Sequence, residues 1–300
     1  MFGTDDLRAF AVPVDGRPHR LSVGTRPVAP ECWLLPGSDR EAQLAIKRRL
    51  LAERRTDVLA ALPGSEAACL EVYELVSAAV EWRGQRLQTV GQSATARAEQ
   101  ALALASLQVQ EDLCIMAPRA GEWLLVAASL SFPSRWRLAD KLGASLDGIH
   151  APVPGYPDRL SRATGDLFGR LADRAREAAG SGSGDGSGTE VLGRFNWTLT
   201  TEEDLYTPEP PPRQVVLAVA EVPDRVWLRV ERQTLRCLPG SGAVLFTIRT
   251  FLTPLGELDA VERVALAGSL RGVSDELIRY RGWVGYVGAV VEWLSGGEVH

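Results

Sequence analysis

Residues 107–132 read LQVQEDLCIMAPRAGEWLLVAASLSF. In the first ten, Leu107, Val109, Glu111, Leu113 and Ile115 recur at period two and share one face of an extended chain. Residues 122–132 form a more continuous apolar run, and PRAG between the two is a hairpin turn. An antiparallel pair therefore lies in the middle of the chain, and its flanks decide the fold class. Upstream, the spacing of Leu44, Leu50, Leu51, Val58 and Leu59 predicts a helix over 40–62, stopped by Pro63-Gly64. Two more helices fit 66–82 and the alanine-rich 94–106, with a weak strand at 19–25. Downstream, Phe132-Pro133 ends the second strand, and Ser134 predicts an N-cap for a short helix through Leu142.

The stretch 147–156, DGIHAPVPGY, suits neither helix nor strand. A helix over 159–178 then carries Leu160, Leu167, Phe168 and Leu171 on one side. GSGSGDGSG at 180–188 reads as a flexible insertion; no frame gives GxGxxG, and no GK[ST] follows. Strands are expected at 190–199, 214–221, 225–238 and 242–252, and helices at 257–270 and 275–295. The expectation is an α+β chain of one domain: residues 1–106 mainly helical, 107–255 an antiparallel sheet core with inserted helices, and 256–300 helical.

Composition narrows the function. The 300 residues are 45% hydrophobic, enough for a large core, and the net charge of −5 argues against bulk nucleic-acid binding. Lys47 and Lys141 are the only lysines, so arginine carries the positive charge. Cys32, Cys69, Cys114 and Cys237 are far apart and read as reduced, packed thiols rather than a disulfide or zinc framework. MFGTDDLRAF lacks a basic leader, and no apolar run reaches a membrane span, so a soluble cytoplasmic protein is expected.

No G-x-S-x-G elbow marks a hydrolase, and three histidines are few for a facial-triad metal site. A haem needs one strong axial ligand, an apolar pocket and cations for its propionates. His150, the only histidine away from the termini, lies near Ile149, Val153, Trp136 and Phe168 in sequence. From the residues alone it is either a satisfied loop histidine or such a ligand. In VWLRVERQTLRCLP, period two puts Leu228, Val230, Arg232, Thr234, Arg236 and Leu238 on one face. Trp227, Arg229, Glu231, Gln233, Leu235 and Cys237 share the other. Charge on both faces means intraprotein salt bridges, with a carboxylate such as Glu111, or arginines turned toward a ligand.

VQEDLCIM, LSFPSRWRLADKLGASLDGIHAPVP, FNW and LRVERQTLRCLPGSGAVLFTIRTFLTPL, in that order, resemble the haem-dependent oxidative N-demethylase family. The segment RLSVGTRPVAPECWLLPGSDREAQLAIKRRLL extends the resemblance, which covers about residues 20–255. It implies a PAS-like sheet core that binds haem b through a histidine. It also implies removal of a methyl group from a small secondary amine, dimethylamine, with oxygen, releasing formaldehyde. Electrons would come from NADPH through flavin and iron–sulfur partner subunits. His150, in the IHxPVP motif, takes the iron-ligand role by this resemblance. Arg232 and Arg236, in and beside the ERQTL block, become candidates for haem propionates or a distal role. Glu111 and Asp112, in the QED block, become candidate carboxylates toward an alkylammonium ion. A PAS-like haem sensor without turnover would need the same histidine and pocket.

Overall fold

The computed structural model describes residues 4–81, 84, 87, 93–156, 160–180, 190–211 and 214–296; of the Gly/Ser insertion, residues 181–188 lie outside that set. In chain order the elements are α1 (Thr4–Ala11), β1 (Arg26–Val28), α2 (Arg40–Glu53), α3 (Arg55–Val58), β2 (Leu59–Ala61), α4 (Glu66–Ala79) and α5 (Ala94–Ser106). Then come β3 (Asp112–Arg119), β4 (Glu122–Ser129), α6 (Leu138–Lys141), α7 (Leu146–His150), α8 (Ser161–Gly180) and β5 (Val191–Thr200). The chain closes with α9 (Val222–Arg225), β6 (Trp227–Cys237), β7 (Val244–Pro254), α10 (Ala260–Leu270), α11 (Asp275–Arg281) and α12 (Val287–Ser295).

The seven strands among the described residues join one sheet in the order β1-β5-β6-β7-β3-β4-β2, with every pairing antiparallel. The fold is α+β, as the sequence predicts. The β3–β4 hairpin closes through Ala120 and Gly121, both at positive φ (51° and 86°). That is the primed turn whose twist matches the strands. The α6–α8 helices are inserted between β4 and β5, so the hairpin meets the β5–β6–β7 meander through the β3–β7 pairing.

Several boundaries differ from expectation, each for a local reason. The 40–62 helix breaks at Arg54, and Leu59–Ala61 becomes β2, pairing with β4. The strand near residue 20 forms instead at 26–28, against β5. Ser134 caps no helix: it bridges Thr207, and the next residue, Arg135, has φ +60°, so the helix starts only at Leu138. Residues 214–221 make no strand. Glu221 folds back onto the Ala218 amide, Pro223 favours a helical turn, and the outer edge of β5 is already taken at Leu199. There the Leu199 carbonyl accepts from Trp283 Nε1 (2.9 Å) and the Tyr286 hydroxyl (3.2 Å). The last helix splits at Gly282, whose φ of +72° ends α11 in a left-handed cap.

Both faces of the sheet are covered. On one, α4 and α5 pack with Trp33 against Leu113, Ile115, Val191 and Leu245. On the other, Leu167, Phe168 and Leu171 of α8 and Leu138 of α6 pack against Cys114, Met116, Leu192, Leu235 and Ile248. Burying a side chain such as Phe168 stabilises the fold by about 2–3 kcal/mol. A third apolar cluster joins α1, α10, α11 and α12 to the β5–β6 end around Trp283. No described helix is long and apolar enough to cross a membrane.

Lys47 is fully buried where α2 meets the hairpin: its ammonium donates to the Glu111 carbonyl and lies 3.8 Å from Asp112. Asp112 in turn accepts from the amides of Ser131 and Phe132, both at 2.8 Å. Removing one partner of a buried pair strands the other charge. Lys47→Met is expected to lower the urea-unfolding free energy by about 3–5 kcal/mol. Adding Asp112→Asn should cost less than the sum of the single changes; strict additivity would show that the two are not coupled. His19 packs edge-on against Trp197, and burial, reinforced by Arg281, lowers its pKa to about 4. Between about pH 6.5 and 4 the unfolded chain then binds a proton that the folded chain does not, so stability should fall on acidification through that window. His19→Gln should flatten this part of the profile, and an unchanged slope would exclude His19 as its source.

Candidate functional site

Strand β6 runs unbroken against β5 and β7, so its two faces are defined by register. Arg232 pairs with Phe195 and Arg249, and Glu231 with Asn196 and Thr250. The two residue sets expected from period two do occupy opposite faces.

On the α4–α5 face the cations are met by the protein. Arg232 donates to the carbonyls of Cys32 (2.5 Å) and Trp33 (3.3 Å) and stands over the Phe10 ring. Arg236 lies over the Trp33 ring, 5.3 Å from its centroid. Arg249 bonds Gln43, Asp39 and the Leu35 carbonyl. Glu111, only 1% exposed, accepts from the Leu35 amide at 2.7 Å. The structure thus brings Arg232, Arg236 and Glu111 together around residues 32–35.

His150 belongs to the opposite face. It ends α7, a single turn begun by Ser145, whose hydroxyl caps the Gly148 amide at 3.3 Å. The cap overrides the poor helix-forming of Asp147 and Gly148, so the start of DGIHAPVPGY is helical after all. Lys141 fixes the turn from below through the Ile149 carbonyl at 2.7 Å. The imidazole stacks on Tyr156, with centroids 4.5 Å apart and planes inclined by 16°. Its Nδ1 lies 2.8 Å from the Leu146 carbonyl. A carbonyl only accepts, so Nδ1 carries the proton and the lone pair rests on Nε2. Burial lowers the pKa, partly offset by the Leu146 bond, and the Arg194 and Lys141 charges lower it further. The ring is therefore held neutral, in one tautomer and one plane.

The floor beside it is polar. Arg194 and Asn196 come from β5, Arg229, Glu231 and Gln233 from β6, and Thr250 from β7. Glu231 accepts from Gln233 (3.0 Å) and Asn196 (3.4 Å). Arg229 donates through Nη2 to the carbonyls of Phe132 (2.7 Å) and Leu205 (3.2 Å). The Nε atoms of Arg194 and Arg229 and the Thr250 hydroxyl are buried with no partner among the described protein atoms. Burial lowers the pKa of both arginines. Buried donors of this kind are rare in folded proteins and mark a place where water or a ligand completes the structure. Among the described residues, no group of three or more His, Cys, Asp or Glu side chains converges as a metal cluster.

The family model described as haem-dependent oxidative N-demethylase, alpha subunit-like, matches residues 77–291, more than two thirds of the chain. The chain belongs to this family. Membership gives it a haem-dependent, oxidative N-demethylase-like function.

The residues on the His150 face fit a haem. His150, a neutral imidazole whose Nδ1 is already held by a carbonyl, would hold the iron of a haem through its Nε2 lone pair. Ile149, Trp136 and Phe168 supply apolar cover, and Arg194 brings a guanidinium whose Nε is unmet among the described protein atoms. Sequence reasoning singled out His150 but not Arg194, Glu231 or Gln233. The signal was present in the period-two sets, and only the packing shows which set shares a face with His150.

The two faces predict opposite responses to losing an arginine. Arg232→Met should destabilise the haem-free protein by about 2 kcal/mol or more, since two buried carbonyls lose a charged donor. Arg194→Met should leave it unchanged or stabilise it, because the guanidinium removed has an unmet donor. Equal losses in urea unfolding would contradict the assignment of the two faces.

Proposed function

We propose that this chain is the haem-binding subunit of an oxidative N-demethylase acting on a small secondary amine such as dimethylamine. The single observation that carries the reading is His150: its Nδ1 is committed to the Leu146 carbonyl, which leaves the lone pair of the neutral ring on Nε2, the nitrogen that would bind iron. The antiparallel sheet with helices inserted before the last three strands supports a PAS-like core. Haem, when bound, supplies oxygen activation and oxidation of the N-methyl group, with release of formaldehyde. Reducing equivalents come from NADPH through a partner reductase with flavin and iron–sulfur centres.

The chain's own residues bind, orient and exclude water. His150 is the metal ligand, set at one angle by Leu146 on one edge and Tyr156 on its face. Arg194 answers the propionate charge. Glu231 receives the alkylammonium ion: it shares the His150 face, and the side-chain donors on it are two neutral amides. Asp112 lies on that face too, but is occupied by Lys47 and two backbone amides. Arg232, Arg236 and Glu111 work at a distance in this reading, holding residues 32–35 against the sheet. A histidine ligand donates less electron density to iron than a thiolate, so polar groups of the chain beside a bound haem would carry more of the work.

Haem-reconstituted wild-type protein should show a Soret band that His150→Ala abolishes; an unchanged band in the variant would remove His150 as the ligand. With a chemical reductant, oxygen and dimethylamine, the loaded protein should release formaldehyde. A spectral response to the amine without formaldehyde would instead favour the sensor reading. Glu231→Gln should raise KM for the amine by about tenfold or more with the Soret band retained, from the loss of one charge-assisted contact.

A further inference from the structure

A second group of guanidiniums stands at the far end of β5, around a cavity of about 280 Å³. Arg135, Arg279, Arg281, Thr198, Thr200 and Glu202 contribute to its lining, and neither His150 nor Arg194 does. Four features fix the cations there. The Arg281 guanidinium lies over Trp283 and Trp197, 4.9 and 5.5 Å from the ring centroids. Arg135 has a left-handed backbone, φ +60°, rare for a side-chain-bearing residue and found where function requires it. Its Nη1 donates to the Arg281 carbonyl. Gly282 lets the two approach: a Cβ there would stand 2.5 Å from Arg135 Nη1, and its φ of +72° suits glycine.

This cluster is under-compensated. Among the described residues, Glu202 is the only acid lining the cavity, against three arginines. Nη1 of Arg281 is buried and meets no acceptor among the described protein atoms. Burial lowers the Arg281 pKa to about 10, a shift that Tyr280 and Glu231 oppose only in part. The Thr200 hydroxyl accepts from the Glu202 amide at 3.1 Å, which leaves its proton to donate.

We propose that this cavity is an oxyanion site, taking the carboxylate or phosphate group of a small molecule, separate from the pocket at His150. Planar guanidiniums on a fixed fork suit either oxyanion in two-point contact. Arg281 supplies a half-buried anchor through its buried Nη1, Arg279 and Arg135 the exposed rim, and Thr200 a neutral donor.

Calorimetric titration of the haem-loaded full chain with inorganic phosphate, and separately with acetate, tests this. One saturable site is expected, weakened about tenfold or more by Arg281→Gln, the loss of one charge-assisted anchor. Arg279→Gln, on the exposed rim and outside the core, should weaken it about threefold or more and serves if the first variant does not fold. Preference for phosphate would identify a phosphoryl-bearing ligand, and preference for acetate a carboxylate. No saturable binding of either anion, or unchanged affinity in the variants, would overturn the proposal. So would binding confined to haem-free protein, which would give these arginines to the carboxylates of haem itself.

Discussion

A strand covered on both faces has to account for every charge it carries, and β6 carries Arg229, Glu231, Arg232 and Arg236. Leaving such groups unpaired in a sheet interior costs several kcal/mol each. The structure meets this constraint differently on its two sides. On the α4–α5 side, the segment at residues 32–35 turns backbone carbonyls and an aromatic ring toward Arg232 and Arg236. On the His150 side, donors of Arg194, Arg229 and Thr250 remain unmet by described protein atoms. The arginines of β6 on the first face are met by the polypeptide, whereas around His150 the arginines keep buried donors that no described protein atom meets.

The N-terminal segment has its place in this scheme. Glu111 holds the Leu35 amide, and Arg249 ties Asp39 and Gln43 to β7. Lys47 and Asp112 lock α2 to the turn at Ser131–Phe132, from which the chain leads toward α6 and α7. The buried network on one side of the sheet thus fixes the start of the segment that carries His150 on the other. The imidazole inherits its position from this frame and its tautomer from one carbonyl.

Much of the fold was legible because periodicity is a local signal. The hairpin at 112–129, the alanine-rich α5 and the Leu160–Leu171 stripe of α8 follow from residue spacing alone, and all are buried as that spacing implies. The misplaced elements depended on distant partners. Residues 214–221 form a short apolar, valine-rich run that reads as strand-like, but the β5 edge at Leu199 is taken by Trp283 and Tyr286. Residues 59–61 look helical in continuity with α2 yet pair with β4. In the site, His150 stood out by scarcity and motif, and the two faces of β6 were readable to the residue. Which face His150 joins depends on where α7 docks, and nothing local in ERQTL encodes that.

The central claim is that a ligand meets the open donors of the His150 face, while the arginines of the opposite face are already met by the protein. Hydrogen exchange at arginine Nε–H groups, followed by NMR before and after haem loading in a diamagnetic ferrous state, tests it most directly. Arg249, whose Nε donates to the Leu35 carbonyl at 3.3 Å, should be protected in both states. Arg194 should gain protection only when haem is bound. Protection at Arg194 that haem leaves unchanged would contradict the account.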